Sequence, residues 1–505
     1  MKIIISYPPL SGKNGFPALG QNRQFQFLKE PTFIYPVVPA CAATLLKQAG
    51  HEVIWLDCVA ENISYDRFIE IIQEECPDLI AFETKTPVVK QHWRIIDELK
   101  NFRRSRDSDK TSGKNEKLKI VLFGDHVTAL PEESFQNSQV DFVLTGGDYD
   151  FLLLNLCDAI KLRFTLHASR FTNLEPGIYY RENGQIKNTG QFKLNHDLNS
   201  LPFIDRDLTK WRLYAHKNGN YKRVPGTYLM SGRDCWWGRC SFCSWPQLYP
   251  IFRLRDADNV LDEIGLLIEK YNIREIMDDT GTFPTGDWLR KFCCGIIEKG
   301  YDKKIYLDCN MRFGALSGEE FSLMKKANFR LLLFGLESAN QKTLDRLNKN
   351  LRAEKIIDDC RLAVKAGLYP HITIMFGYPW ETYEDALATL NLGRWLLKKG
   401  YAYTMQATVV IPYPGTVLFE ECKRNNQLKT LNWNDYDMKQ PVTRASIPDE
   451  EIMKLARLMY GASFRPEFVL RRLLSLKDID DFKYNLRALK KVLGHIFDFS
   501  SRMKG

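Results

Sequence analysis

An α/β fold in two successive sheets, closed by a helical segment, is predicted by three features of the sequence. Short apolar runs alternate with helix-period stretches over residues 1–165, the alternation resumes from 226 to 425, and the pattern after 426 is helical only. A connector over 166–225 separates the two series.

In the first series KIIISY, HEVIWLD, PDLIAFE, LKIVLFG and VDFVLTG are strand-length runs bounded by Gly, Pro or Asp. Between the first two, Pro39 to Gly50 puts Ala42, Leu45, Leu46 and Ala49 at helical spacing and stops at a glycine, as a capped helix does. This alternation predicts a doubly wound parallel sheet, in which ligands gather beyond the carboxyl ends of the strands. Those ends are Pro8-Pro9-Leu10, Asp57, Glu83-Thr84, Gly124-Asp125-His126 and Thr145-Gly146-Gly147-Asp148. The polar stretch 101–117 is too hydrophilic to bury a core and reads as a surface insertion.

Within the connector, IYYRENGQIKN is a hairpin signal centred on Asn183-Gly184. From 226 onward GTYLMSG, REIMDDT, KIYLDCN, RLLLFGLE, PHITIMFGYP and MQATVVIPYPG are six strand candidates. The helical stretch Asp258 to Tyr271 places Val260, Ile264, Leu267, Ile268 and Tyr271 on one face. Six such units predict a partial parallel (β/α)6 barrel, whose active site lies at the carboxyl ends of its strands.

Cys235, Cys240 and Cys243 fall within nine residues directly after the first of these strands. Structural zinc closes with four ligands, often as two Cys-x2-Cys pairs, and no second pair follows at a finger-like distance. Cys293-Cys294 lie in the helix-period run FCCGII, where small buried thiols are the simpler reading. Iron-sulfur clusters are also held by thiolates, and a cubane with three protein ligands keeps one iron open for a substrate or cofactor.

Further segments stand at the strand ends in order. Met277-Asp278-Asp279-Thr280, with Thr282-Phe283 beyond it, follows the second strand, and Cys309-Asn310-Met311-Arg312 ends the third. Gly335-Leu336-Glu337-Ser338, Gly377-Tyr378-Pro379-Trp380-Glu381-Thr382 and Pro412-Tyr413-Pro414-Gly415-Thr416 follow the next three. Singly, a Gly-Pro turn is only a turn. In this order, the chain resembles the radical S-adenosylmethionine (SAM) enzymes, and in particular their cobalamin-binding class, over nearly all of its first 425 residues. The resemblance implies that Cys235, Cys240 and Cys243 hold a [4Fe-4S] cluster whose open iron chelates SAM, with Phe242 beside it. It also implies that the Asp278-Asp279-Thr280 segment receives the SAM amino group, that Asn310 and Arg312 meet its ribose and carboxylate, and that Glu337, Ser338, Gly377 and Pro379 complete the pocket. Two departures stand out: the first cysteine gap is four residues where the family usually has three, and Trp380 replaces a usual glycine.

The first sheet resembles the Rossmann-like cobalamin-binding module of that class. Gly124 to Glu133 looks like its Gly-x-His-x-Thr-x-x-Pro-Glu segment, and Val143 to Asp148 stands where a Gly-Glu turn is common. The resemblance implies cobalamin contacts from Pro8, Asp125, His126, Thr128, Gly146 and Gly147. No Asp-x-His-x-x-Gly motif occurs, so His126 is expected near the corrin or its tail, or else as a loop or capping histidine, and not on cobalt. A domain that has lost cobalamin and serves as scaffold is the competing reading.

The implied activity is methylation of an unactivated carbon through a 5′-deoxyadenosyl radical and methylcobalamin. A cobalamin-dependent cyclase or rearranging enzyme is the alternative within the class, and a noncatalytic iron-sulfur nucleic-acid-binding protein the alternative outside it. Implied partners are a small-molecule or peptide substrate and an external electron donor such as flavodoxin or ferredoxin. With 505 residues, 44% of them hydrophobic, the chain holds several globular domains. No apolar run is of membrane-spanning length and MKIIISYPPL lacks the pattern of a signal peptide, so the expected location is cytoplasmic. The twelve scattered cysteines are expected as reduced thiols. The net charge of +9 is a weak bias toward anionic partners. Arg465, Arg471, Arg472, Lys490 and Lys491 in the segment 426–505 read as a solvated basic face in preference to a nucleic-acid site. That segment is expected to cap the substrate cleft.

Overall fold

The computed structural model describes residues 1–10, 15–18, 26–107, 118–165 and 173–498. Strands β1 (Lys2–Tyr7), β2 (Glu52–Asp57), β3 (Leu79–Glu83), β4 (Lys119–Phe123) and β5 (Phe142–Leu144) are the five runs expected, all parallel, in the order β2-β1-β3-β4-β5. Leu79–Glu83 is buried along its whole length because both faces of the sheet are covered, which is why it is apolar without alternation. The strand order reverses between β1 and β3, so Tyr7 and Glu83 stand at the switch point.

Strands β6 (Ile178–Glu182) and β7 (Gln185–Asn188) form the expected hairpin, with both Asn183 and Gly184 in the left-handed region that an Asn-Gly turn requires. The hairpin does not stay in a connector. It pairs antiparallel with β5 and completes a seven-stranded sheet, covering what is otherwise an open edge. Part of the expected insertion, 101–107, continues the helix Val89–Asp107, and 108–117 lie outside the described residues.

The second sheet consists of β8 (Gly226–Leu229), β9 (Glu275–Asp278), β10 (Tyr306–Met311), β11 (Phe329–Glu337), β12 (Tyr369–Phe376) and β13 (Thr404–Val409). All six are parallel and neighbours in chain order, the partial barrel. The helix expected from Asp258 spans Ala257–Tyr271 and buries Val260, Ile264, Leu267 and Tyr271. After the barrel come helices Asp449–Gly461, Pro466–Leu474 and Ile479–Asp498. Of their basic residues Arg465 and Lys490 are exposed as expected, whereas others are engaged. Arg471 donates to the Leu397 and Lys398 carbonyls, and Arg472 donates to Tyr403 O while lying 3.5 Å from the centre of its ring.

The two sheets are joined by buried charge. Arg233, two residues before Cys235, donates to Asp148 (3.0 Å) and through both terminal nitrogens to Asp150 (3.0 and 2.6 Å). Arg253 and His196 also bond Asp148, at 2.6 and 3.1 Å. Burial works against the Asp148 anion, yet the His196 hydrogen bond and the two guanidinium groups hold its carboxyl well below the usual range. The same balance, led by burial and overcome by Asp150 and Asp148, holds the Arg233 guanidinium above its usual value. Replacing Arg233 by Met strands the buried Asp150 carboxylate, while Asp148 keeps Arg253 and His196, and should lower the stability to urea by about 3–5 kcal/mol. A loss below about 1 kcal/mol, the range of an exposed pair, would contradict a joint built on this residue.

Candidate active site

The loop that carries the cysteines is tied down at both ends. At its start, Asp278 at the end of β9 accepts from Ser231 N (3.0 Å), Ser231 Oγ (2.5 Å) and Thr280 N (2.9 Å), and Thr280 Oγ1 accepts from Gly232 N (3.0 Å). Burial pushes the Asp278 carboxyl up against these bonds. At its far end, Ser241 N donates to Leu347 O (2.9 Å), Leu418 N to Ser241 O (2.8 Å) and Trp237 Nε1 to Asn348 O (2.8 Å).

On this loop Cys235, Cys240 and Cys243, all half-buried and unbridged, face one cavity of about 400 Å³ together with Phe242. Cys235 Sγ lies 3.1 Å from Thr282 Oγ1. Burial pushes the Cys240 thiol up, and Lys349 and Arg312 pull it back toward the thiolate. Arg312 donates to Lys349 O (2.6 Å) and lies 4.7 Å from the Trp237 ring centre, so its guanidinium is held over the loop. Lys349 Nζ pairs with Glu337 Oε1 at 3.0 Å, both side chains nearly buried. Lys349 is the residue that sequence reasoning missed: a lysine beyond Glu337 in the run SANQKTLDRLNKN looks solvated until the fold brings it back. Among the described residues no three His, Cys, Asp or Glu side chains gather as ligands of a single metal ion. A cubane makes a different demand, because it spreads its thiolates over separate irons.

The other expected residues divide. Asp279, Asn310, Arg312 and Glu337 line the cavity, with Asn310 Nδ2 donating to Asp279 Oδ1 (3.3 Å) and Thr280 O (3.1 Å). Asp278 and Thr280 are spent on the loop. Ser338, Gly377 and Pro379 are buried and do not line the cavity. Ser338 donates to Glu381 Oε1 (2.7 Å), and Thr382 caps the following helix in a box with Asp385. These positions hold the turns beneath the site.

The residues expected at cobalamin do not line this cavity. His126 is buried, with Nδ1 3.2 Å from Thr86 Oγ1, Nε2 3.0 Å from Glu133 Oε2 and its ring edge-on to Trp433. Thr128 Oγ1 bonds Gly124 O and receives Gly146 N. A Cβ at Gly146 would overlap the Phe192 ring and one at Gly147 the Tyr249 ring, whose hydroxyl donates to Gly147 O. Gly147 meets the barrel through Tyr249, and none of these residues, nor Asp125 or Pro8, lines the cavity. What faces the cavity from the N-terminal part is Ala18, Gln26, Leu28, Thr32 and Ile34. Gln26 Nε2 is buried there with no hydrogen-bond partner among the described residues. An apolar wall with one orphaned amide donor fits the flat face and peripheral amides of a corrin.

The cavity is closed by one face of helix Ile479–Asp498, through Tyr484, Ala488, Lys491, Val492 and His495. Lys491 therefore points inward, donating to Thr32 Oγ1, and burial, with Arg487 nearby, brings its amine down to about 7.

Residues 230–393 match the radical SAM superfamily, a span that runs from the start of the cysteine loop past Gly377 and Pro379. The chain carries a radical SAM domain. Over 462 residues the chain is 27% identical to an uncharacterized methyltransferase of Pyrococcus horikoshii, covering 91% of this chain and 92% of that one. It is 23% identical over 461 residues to the anaerobic magnesium-protoporphyrin IX monomethyl ester cyclase of Cereibacter sphaeroides, covering 86% and 70%. Among solved structures, the cobalamin-dependent SAM radical enzyme OxsB matches with a TM-score of 0.67 at 15% identity, over 98% of this chain and 71% of that one. The radical SAM methyltransferase TsrM of Kitasatospora setae matches at 0.62 and 15%, over 90% and 84%. The two solved structures share the fold of this chain with its N-terminal sheet included.

Behind the radical SAM site, burial pushes the Glu381 carboxyl up to about 7. Folded, the group holds its proton to higher pH than the unfolded chain does. Stability is therefore fullest below the ordinary carboxylate range, falls as the pH rises toward 7, and is flat above. Glu381→Gln keeps the acceptor for Ser338 without ionising. It should melt about 2 °C above wild type at pH 8 and level with it at low pH. An unchanged pH dependence would contradict the burial.

Proposed function

We propose that this radical SAM enzyme methylates an unactivated carbon of a small-molecule or peptide substrate, with cobalamin as methyl carrier and an external protein such as flavodoxin or ferredoxin as reductant. The observation that carries the reading is the convergence of three unbridged thiols, on one doubly anchored loop, onto a cavity walled by both parts of the fold. Cys235, Cys240 and Cys243 would hold the [4Fe-4S] cluster, which when bound supplies the electron that cleaves SAM to a hydrogen-abstracting radical. Arg312 and Lys349 favour the thiolate form of Cys240. Asp279 and Asn310 offer an acceptor and a donor to the polar end of SAM, and Phe242 and Met311 exclude water from it. Ala18, Gln26, Leu28 and Ile34 would hold cobalamin, which supplies a methyl group that a carbon radical accepts. The solved TsrM has cobalamin and a [4Fe-4S] cluster bound, and OxsB aqua-cobalamin.

The cyclase of Cereibacter sphaeroides keeps a second reading open, ring formation without methyl transfer. By-products separate the two. Methylation uses one SAM for the radical and one for the methyl group, so 5′-deoxyadenosine and S-adenosylhomocysteine should rise together in about equal amounts with turnover. Deoxyadenosine alone would reject methyl transfer in favour of the cyclase reading.

The cluster has its own test. Alanine at any one of Cys235, Cys240 or Cys243 should abolish reductive SAM cleavage and leave the circular dichroism of the fold unchanged. The Cys293→Ala/Cys294→Ala variant should retain its iron. Iron lost from that variant, or cleavage surviving in Cys240→Ala, would reject this ligand set.

A further inference from the structure

The helix that closes the cavity leaves its opposite face bare. Ile479, Phe482, Leu486, Leu489 and Leu493 recur at alternating spacings of three and four and are between 42% and 63% exposed. The preceding helix Pro466–Leu474 adds Leu470, Leu473 and Leu474, between 58% and 77% exposed. Apolar side chains this large and this contiguous mark a surface that something covers.

The charges around the patch say what. Lys483 and Lys490 on the last helix and Lys477 in the link before it are exposed and form no ion pair among the described residues. The neighbouring acidic groups are paired with cations: Asp478 with Arg223 (2.7 Å), Asp480 with Arg274 (2.8 Å), Asp481 with Lys222 (2.9 Å), and Glu467 faces Lys398 at 3.8 Å. The outer face is thus apolar and positive. Lys483 and Lys490 each stand one residue beyond a stripe position, at the flanking sites of a helical seam. Two copies of the chain packed stripe to stripe in antiparallel fashion would set these lysines against one another, which disfavours self-association.

We propose that this face docks on an anionic lipid bilayer, the stripe entering the boundary between headgroups and acyl chains while the lysines meet lipid phosphates. The contact is peripheral, since no helix among the described residues is long and apolar enough to cross a membrane. It is independent of the reaction catalysed, although the inner face of the same helix lines the cavity.

The test is sedimentation of the full chain with phosphatidylcholine vesicles, with and without phosphatidylglycerol. Wild type should pellet with the anionic vesicles and stay in solution with the neutral ones. Lys483→Gln/Lys490→Gln should weaken binding about 10- to 30-fold. Leu486→Gln/Leu489→Gln, at two half-exposed positions of the stripe, should abolish it with unchanged circular dichroism. Wild type that stays in solution with both vesicle types would overturn the proposal. So would a chain that sediments as a dimer and is made monomeric by Leu486→Gln/Leu489→Gln, because a second copy would then cover the patch.

Discussion

The constraint on which the rest of the structure depends is the buried meeting of Arg233 with Asp148 and Asp150. Arg233 belongs to the barrel, immediately ahead of the cysteine loop, and the two aspartates follow the last parallel strand of the first sheet. Buried charges persist only when they are paired and hydrogen-bonded, so the two sheets are held in one relative position. Tyr249 packing onto Gly147 and Trp433 bonding Glu133 extend the joint on either side. The cysteine loop thereby faces a cavity whose opposite wall is supplied by residues from before the barrel.

Within the barrel the same logic recurs on a smaller scale. Asp278 and Thr280 bind the start of the loop, and Arg312 and Lys349 bring positive charge to its middle. The Glu337 carboxylate balances Lys349 and so keeps it from being a bare buried cation. Three thiols that would repel one another as thiolates are in this way brought together in a half-buried loop without a disulfide.

What the sequence makes legible follows the range of the interactions involved. The strands are readable because each is an apolar run of the right length, and the hairpin because Asn183-Gly184 carries its own turn chemistry. The cysteines are readable from spacing alone. The place of the hairpin in the first sheet is not, since it depends on an edge that only the folded sheet presents. His126 and Gly147 stand where a cofactor motif is expected, and their packing against Trp433 and Tyr249, far along the chain, is not visible there. Lys349 and Lys491 look like surface lysines in sequence, and only packing by distant segments turns them inward.

The central claim is that the loop holds a cluster with a site open to SAM, and electron paramagnetic resonance tests it most directly. Anaerobically reconstituted, dithionite-reduced protein should give the signal of a one-electron-reduced [4Fe-4S] cluster, and adding SAM should shift its g values as the open iron is chelated. A signal that SAM leaves unchanged, or no cluster signal from protein that has taken up iron and sulfide, would contradict the account.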